Sequence, residues 1–579
     1  MLVRRILRLV PWPLRRRLLA VLQQVLLPLV AAERRLRLAR RLVPMSPPPR
    51  LRTGTDGALL RVRASGGWVT ARVDRTASPV TVRRRNLDRV VAALTSAGID
   101  WFRVPARSLT HTAVAVPARD RDRVVRLLAA LAARDCGRCE PVGTRGRKPA
   151  RSGADVLRVY WPVADPRGSL LLGADFGCEV EFWRERDGAL TGPRDNPVAD
   201  VIAVDAPVVY AAEPVFGPFA SPADTTAYRT REIFTLAGPD RVSFPIDAVY
   251  TWVDGDDPEW RQRKARALGE NGWVAAGSAH SANRSRFASR DELRYSLRAL
   301  HCFAPWIRRV FLVTDDQVPD WLDTEYPGIT VVSHRAVFGD TGLLPTFNSH
   351  AIESRLHRIP GLAEHFLYLN DDVFLGRPVA PELFFTPGGL ARFFPSRAAV
   401  DAGPRRPDDP PVNSAAKNNR RLIQEAFGRV LTRKMMHTPH PSRRSVITEI
   451  EERFGDDVAA TASHQFRHPD DISLLSSLQQ YYAYLTGRAA PGDIKYMYAD
   501  LADPAAPFKM TRVLRNRHLD AFCLNDTDAD AGVAAEQEAL LADFLPAYLP
   551  FAAPFELAPR RVGRQLNRGG PVPRREMVL

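Results

Sequence analysis

The chain has 579 residues, 45% hydrophobic and 25% charged, a globular composition with length for roughly three or four domains. Its net charge of +17 sits in the tails, where residues 1–50 carry twelve Arg against Glu33 and residues 560–579 carry six Arg against Glu576. The remaining 509 residues are nearly neutral, which argues against a nucleic-acid-binding core.

The five cysteines (Cys136, Cys139, Cys178, Cys302, Cys523) are odd in number and sparse, so no disulfide framework is indicated and a reducing compartment is expected. One CxxC, Cys136 and Cys139, lacks the second ligand pair that a structural zinc site needs.

Residues 1–50 begin with Arg interleaved with Leu and Val and end in the proline-rich "PMSPPPR". The least polar run, Leu18 to Ala32, is 15 residues and contains two Gln and a Pro. A span needs about 20 apolar residues. The pattern predicts a basic amphipathic helix on an anionic membrane surface, which would place the protein at the cytoplasmic face of the cell membrane. A basic helix packed on the protein's own body is the alternative.

Residues 51–150 read as an α+β accessory domain. "GGWVTARV" and "TAVAVPA" are strand-like, while "NLDRVVAALTSAG" and "RDRVVRLLAALAA" have helical spacing. A Pro/Arg/Gly-rich link leads to a strand-rich accessory segment over 151–240, with "VLRVYWPV", "CEVEFW" and "VIAVDAPVVY". Neither piece carries a chemical constellation.

From residue 241 to 558 strands and helices alternate, which predicts an α/β domain with a mainly parallel sheet. The strands end in acids: "FPIDAVYTWVDGDDPEW", "IRRVFLVTDDQVPDWL" and "FLYLNDDVFLG", with "ITVVSH" between the last two. "SRDELRYSLRALHCFAPW" reads as a helix with Ser289 as N-cap and Glu292 three residues on. Ligands of such sheets bind at the carboxyl ends of the strands, so Asp254, Asp315, Asp316, Asp371 and Asp372 could assemble on one edge. Later helices follow His/Arg-bearing entries in "MMHTPHPSRRSV" and "HQFRHPDDISLL". "DTDADAG" fails as an EF-hand, because from Asp526 the Gly falls at position seven and Gln537 at twelve. Residues 559–579 form a basic tail.

P-loop, GxGxxG, HExxH and GxSxG motifs are absent. Strand-end carboxylates suit Mg²⁺ or Mn²⁺, and neighbouring Arg and His suit a phosphorylated substrate. Together they fit phosphoryl transfer.

Four fragments in order, "IDAVYTWVDGDDPEW", "RDELRYSLRALHCF…AIESRLHRIPGLAEHFLYLNDDVFLG", "HTPHPSRRSVITEIEERFGDD…FRHPDDI" and "CLNDT", make the chain resemble the Stealth family of sugar-1-phosphate transferases over residues 246–527. The resemblance implies a Rossmann-like or GT-A-like nucleotide-sugar domain that uses Mg²⁺ and a donor such as UDP-N-acetylhexosamine. It also implies transfer of hexose-1-phosphate to a glycan hydroxyl with release of nucleoside monophosphate.

The family's catalytic positions fall on Glu353, Asp371, Asp372, His437 and Arg467, with metal on Asp371 or Asp372. Its nucleotide-binding region falls on Trp252, Asp254 and Gly255, where many members carry Asn in place of Asp254. Glu353 is a candidate base or acceptor-orienting acid. His437 is a candidate for the acceptor's proton or phosphate, and Arg467 for charge on the transferred phosphate. Arg284, Arg286 and Arg290 are candidates for the donor diphosphate, with a solvated basic loop as the alternative. The rival readings are a metal-dependent glycosyltransferase releasing nucleoside diphosphate and a non-catalytic polysaccharide-binding scaffold.

Overall fold

The computed structural model describes residues 27, 29–42, 52–54, 57–64, 67–143, 154–270, 287–406, 409–526 and 531–557. The first 26 residues, the basic tail over 559–579, and Arg284 and Arg286 lie outside the described residues.

Residues 241–557 are built on short strands, most of them largely apolar. They are β1 (Ile246–Thr251), β2 (Val310–Thr314), β3 (Ile329–Ser333), β4 (His365–Asn370), β5 (Val373–Leu375), β6 (His440–Arg443), β7 (Tyr496–Asp500) and β8 (Ala521–Asn525). Five of them form a sheet in the order β3-β2-β1-β4-β6, parallel from β3 to β4, with β6 antiparallel at the edge. Both faces are covered, so "VFLVT" in β2 is buried throughout. The helix Glu292–Phe303 contributes Leu293, Leu297 and Leu300 to the same core.

The chain steps outward from β1 to β2 and β3, then returns to the other side of β1 for β4. Strand order therefore reverses between β1 and β4, where Thr251 stands beside Asn370. A crevice opens at such a reversal, outside the carboxyl ends of the strands. "FLYLNDDVFLG" is not one strand. It breaks at Asp371–Asp372, and β5 joins a different sheet with β8 and β7. The acid turn is the hinge between two sheets.

Three local expectations are corrected. The helix expected from Ser289 starts at Glu292, because Asp291 turns left-handed at φ 64° and occupies the N-cap. Ser289 Oγ instead accepts from the Trp252 indole at 3.4 Å. "VIAVDAPVVY" divides into Val201–Ala203 and Val208–Ala212, which pair with different strands across a turn containing Pro207. The helix expected from Asn86 begins at Pro79, where Ser78 and Thr81 form a reciprocal capping box.

The accessory segments on either side of residue 150 share one sheet. Thr112–Pro117 pairs in parallel with Cys178–Arg186, and Phe102–Val104 pairs with Ala227–Arg231. Helices Pro79–Ser96 and Arg121–Ala133 bury Leu87, Val90, Leu94, Val124 and Leu128 in a core with Val159, Val180 and Phe182. Strand pairing thus joins two pieces that composition separates.

Of the N-terminal segment, Ala32–Leu42 is helical and docks on the body. Leu36 packs on the main core, Arg35 pairs with Glu536 at 3.1 Å and Arg40 with Asp543 at 2.6 Å. Among the described residues no helix is long and apolar enough to cross a membrane.

Candidate active site

A cavity of ≈ 340 Å³ opens at the β1/β4 reversal. Its walls include Asn370 at the end of β4, Asp371 and Asp372 after it, Trp252 after β1, and His437 and Arg467 from the later loops. Trp260, Phe287 and Phe347 add aromatic surface, with ring centroids 5.1 Å (Trp260–Phe287) and 5.3 Å (Trp260–Phe347) apart.

The acid turn is crowded with negative charge. Burial raises the Asp371 carboxyl well above its ordinary range, and the carboxylates of Glu292 and Asp372 push it further. Glu292 is itself raised by burial, although it accepts the backbone N–H of Arg290. Asn370 Oδ1 is buried with no hydrogen-bond partner. Oxygen donors packed this way, one of them unsatisfied, suit a hard divalent cation.

His437 Nε2 lies 3.3 Å from Asp372 Oδ1. Burial works against charge on this imidazole, but the carboxylates of Asp372 and Glu353 carry its pKa above the ordinary value. The neighbouring His440 is held to about 3 by burial and by His437. Arg467 donates to Ser349 Oγ at 2.7 Å. Burial draws its guanidinium down against the pull of Glu353 and Asp471.

Glu353 is placed differently from the other candidates. It is buried behind the cavity rather than on its wall. Ser476 donates to its Oε2 from both backbone N (3.2 Å) and Oγ (2.9 Å), and Tyr368 reaches Oε1 at 3.4 Å. That environment makes Glu353 a fixed counter-charge for Arg467 and His437.

The "WVDGDD" turn meets the cavity through Trp252. Asp254 is not on the wall; its Oδ1 accepts the N–H of Asp256 at 2.9 Å. Gly255 donates its N–H to the Phe287 carbonyl at 2.8 Å, and a Cβ there would meet that oxygen at 2.3 Å. Glycine is required for this approach. Arg290 lines the cavity and pairs with Asp526 at 2.8 Å.

The rival acid pair has been taken up by arginines. Asp315 is bound by Arg263 at 2.9 Å and Asp316 by Arg335 at 3.0 Å. Cys136 and Cys139 are free, and burial pushes the Cys139 thiol up to about 11, the reverse of a reactive dithiol.

Sequence reasoning missed four contributors. Gln317 clamps the Asp254 turn, Ser349 receives Arg467, Cys523 donates to Asp372 Oδ2 at 3.2 Å, and Asp471 anchors the Arg467 loop. Gln317, Cys523 and Asp471 lie inside motifs already singled out, so position within the motif was the available signal, and Ser349 stands four residues before Glu353.

Comparison with known proteins accounts for this geometry. Four family models match in order: Stealth protein conserved region 1 at residues 244–272, region 2 at 286–393, region 3 at 436–484 and region 4 at 511–567. An exopolysaccharide phosphotransferase of Streptomyces coelicolor is 46% identical over 519 residues, covering 86% of this chain and 87% of its own length. A second from that organism is 44% identical over 498 residues, covering 83% and 91%. Exopolysaccharide phosphotransferase CpsY of Mycobacterium tuberculosis is 37% identical over 413 residues, covering 71% and 75%. The cavity takes Trp252 from the first region, Asp371 and Asp372 from the second, His437 and Arg467 from the third and Asp526 from the fourth. The chain belongs to the Stealth family and is a phosphotransferase.

Proposed function

We propose that this phosphotransferase moves N-acetylhexosamine-1-phosphate from a UDP-linked donor to a hydroxyl of a glycan acceptor, releasing UMP, in the synthesis of a cell-surface polysaccharide. The observation that carries this reading is the Asp372–His437 contact of 3.3 Å in one cavity with Arg467, at the reversal of strand order. The names of the relatives, exopolysaccharide phosphotransferases, support the polymer as acceptor. The β3-β2-β1-β4 order likewise supports a Rossmann-like or GT-A-like nucleotide-sugar domain.

In this reading the His437 imidazole takes the acceptor proton as the acceptor oxygen bonds to the sugar-bearing phosphorus. The bridging P–O bond breaks, and the bridging oxygen leaves with the nucleoside monophosphate. Arg467 neutralises charge on the transferred phosphate, and Glu353 holds Arg467 and His437 in their charge environment. Asn370, Asp371 and Asp372 would hold Mg²⁺ or Mn²⁺, which when bound shields the donor diphosphate. Trp252 and Phe287 offer ring faces to the base and sugar. The Arg-rich composition of residues 1–50 supports attachment to an anionic membrane surface at the cytoplasmic face.

The test is incubation with UDP-N-acetylglucosamine and a glycan acceptor, with Mg²⁺ or with EDTA. UMP released only with metal and acceptor is the expected result. UDP in its place would make the chain a glycosyltransferase, and no nucleotide across a donor panel would overturn the reading.

A further inference from the structure

Cys523 stands at the acid turn with no part in the proposed reaction. It is fully buried on β8, and its thiol donates to Asp372 Oδ2 at 3.2 Å, while His437 Nε2 stands 3.3 Å from Asp372 Oδ1. The three ligand atoms lie within 4.8 Å of one another, and among the described residues no other three His, Cys, Asp or Glu side chains come together this way. A tetrahedral zinc with Zn–S of ~2.3 Å and Zn–N of ~2.0 Å sets neighbouring donors roughly 3.5 Å apart, so little movement is needed.

The chemistry of the set is specific. One thiolate, one imidazole and one carboxylate match a borderline-soft ion, whereas Mg²⁺ takes oxygen donors and has no use for sulfur. Asp372 and His437 face the cavity, which leaves a fourth position for water or a phosphate oxygen. Asp371 is not part of this triangle, so of the two acids of the turn only Asp372 serves both the hard-cation set and the soft set.

We propose that Asp372, His437 and Cys523 form a three-ligand site for Zn²⁺ or another borderline-soft divalent ion, and that its occupation switches the phosphotransferase off. The thiol proton leaves to solvent as the Zn–S bond forms, and the neutral imidazole supplies its Nε2 lone pair. An ion there ties up the imidazole that takes the acceptor proton and one carboxylate of the hard-cation set. The inhibition rests on the proposed reaction; the binding does not.

The experiment uses the full chain loaded with one equivalent of Co²⁺ or Zn²⁺. Co²⁺ is expected to give sulfur-to-cobalt charge-transfer absorption that survives Cys136→Ser/Cys139→Ser and is lost in Cys523→Ser. X-ray absorption of the Zn²⁺-loaded wild type, which needs no variant, is expected to show one sulfur among nitrogen and oxygen neighbours. No sulfur, or two sulfurs from the Cys136/Cys139 pair, would overturn the site. In the nucleotide-release assay Zn²⁺ is expected to inhibit, with the half-inhibiting concentration raised at least ~10-fold by Cys523→Ser. A cobalt band without inhibition would keep the site and overturn the switch, leaving the proposed reaction to its own product test.

Discussion

The side-chain amide of Gln317 grips both backbone polar groups of Asp254. Its Oε1 accepts the Asp254 N–H at 3.0 Å, its Nε2 donates to the Asp254 carbonyl at 3.0 Å, and the same nitrogen reaches Asp257 Oδ2 at 2.8 Å. Gln317 follows β2 and is buried, so the loop after one strand fixes the loop after its neighbour. That second loop carries Trp252 to the cavity and rests Gly255 on Phe287.

Gln317→Ala therefore loosens the donor end of the site without touching the acid turn. Losing these half-buried hydrogen bonds costs about 0.5–1.5 kcal/mol, read as a lower denaturation midpoint. In steady-state kinetics the KM for the nucleotide-sugar is expected to rise more than kcat falls. A fall confined to kcat would place the effect elsewhere.

Two acid pairs of the same local pattern are expected to behave oppositely. Asp372→Asn should lower nucleotide release by roughly 10³-fold in folded protein, because a charge facing the reacting phosphate is lost. Asp316→Asn removes an exposed partner of Arg335 and should leave stability within about 0.5 kcal/mol and turnover near wild type. Equal losses in both variants would mean the acid turn after β4 has no special role.

That contrast also shows what the sequence could tell. The strands "VFLVT" and "HFLYLN" were legible because a strand covered on both faces must be apolar throughout, and the acids marked their ends. What separates Asp372 from Asp315 is not local. Arg263, 52 residues before Asp315, neutralises one, and His437, 65 residues after Asp372, faces the other. Residue types in a window do not record such neighbours, so the ranking came from resemblance to a family. The strand pairing across residue 150 is hidden for a related reason. A Pro/Arg/Gly-rich link looks like a boundary, but the pairing of Thr112–Pro117 with Cys178–Arg186 crosses it.

Glu353 tests the difference between a reacting acid and a fixed counter-charge. Glu353→Gln keeps an oxygen for the Ser476 donors and removes the charge that His437 and Arg467 feel. It should fold with a loss of about 1 kcal/mol, with turnover down roughly 10²-fold. Glu353→Ala leaves the donors unpaired and should lose about 1–3 kcal/mol. Wild-type turnover in the Gln variant would remove the counter-charge role.

The loop that presents Arg467 is pinned by a second buried carboxylate, and this gives a pH dependence of defined sign. Asp471 accepts from Asn348 Nδ2 at 2.8 Å and from the backbone N–H of His468 at 2.9 Å, and His464 Nδ1 stands 2.7 Å from its Oδ1. Asn348 also caps the helix that carries Ser349, the acceptor of Arg467. Burial alone would raise the Asp471 carboxyl, but His350, His464 and the His468 N–H hold it at about 2, against an ordinary 3.8. A depressed folded-state pKa adds stability that is fully present above the ordinary value and is lost as pH falls through the depressed one. The shift is equivalent to about 2 kcal/mol. Urea unfolding followed from pH 5 down to pH 2 should therefore show the wild type losing about 2 kcal/mol more than Asp471→Asn, which has no proton to gain there. Near neutral pH the variant should be the less stable of the two, with turnover reduced because Arg467 and Ser349 no longer share an anchored frame. Parallel acid profiles for the two proteins would show that the Arg467 loop is held by something other than this carboxylate.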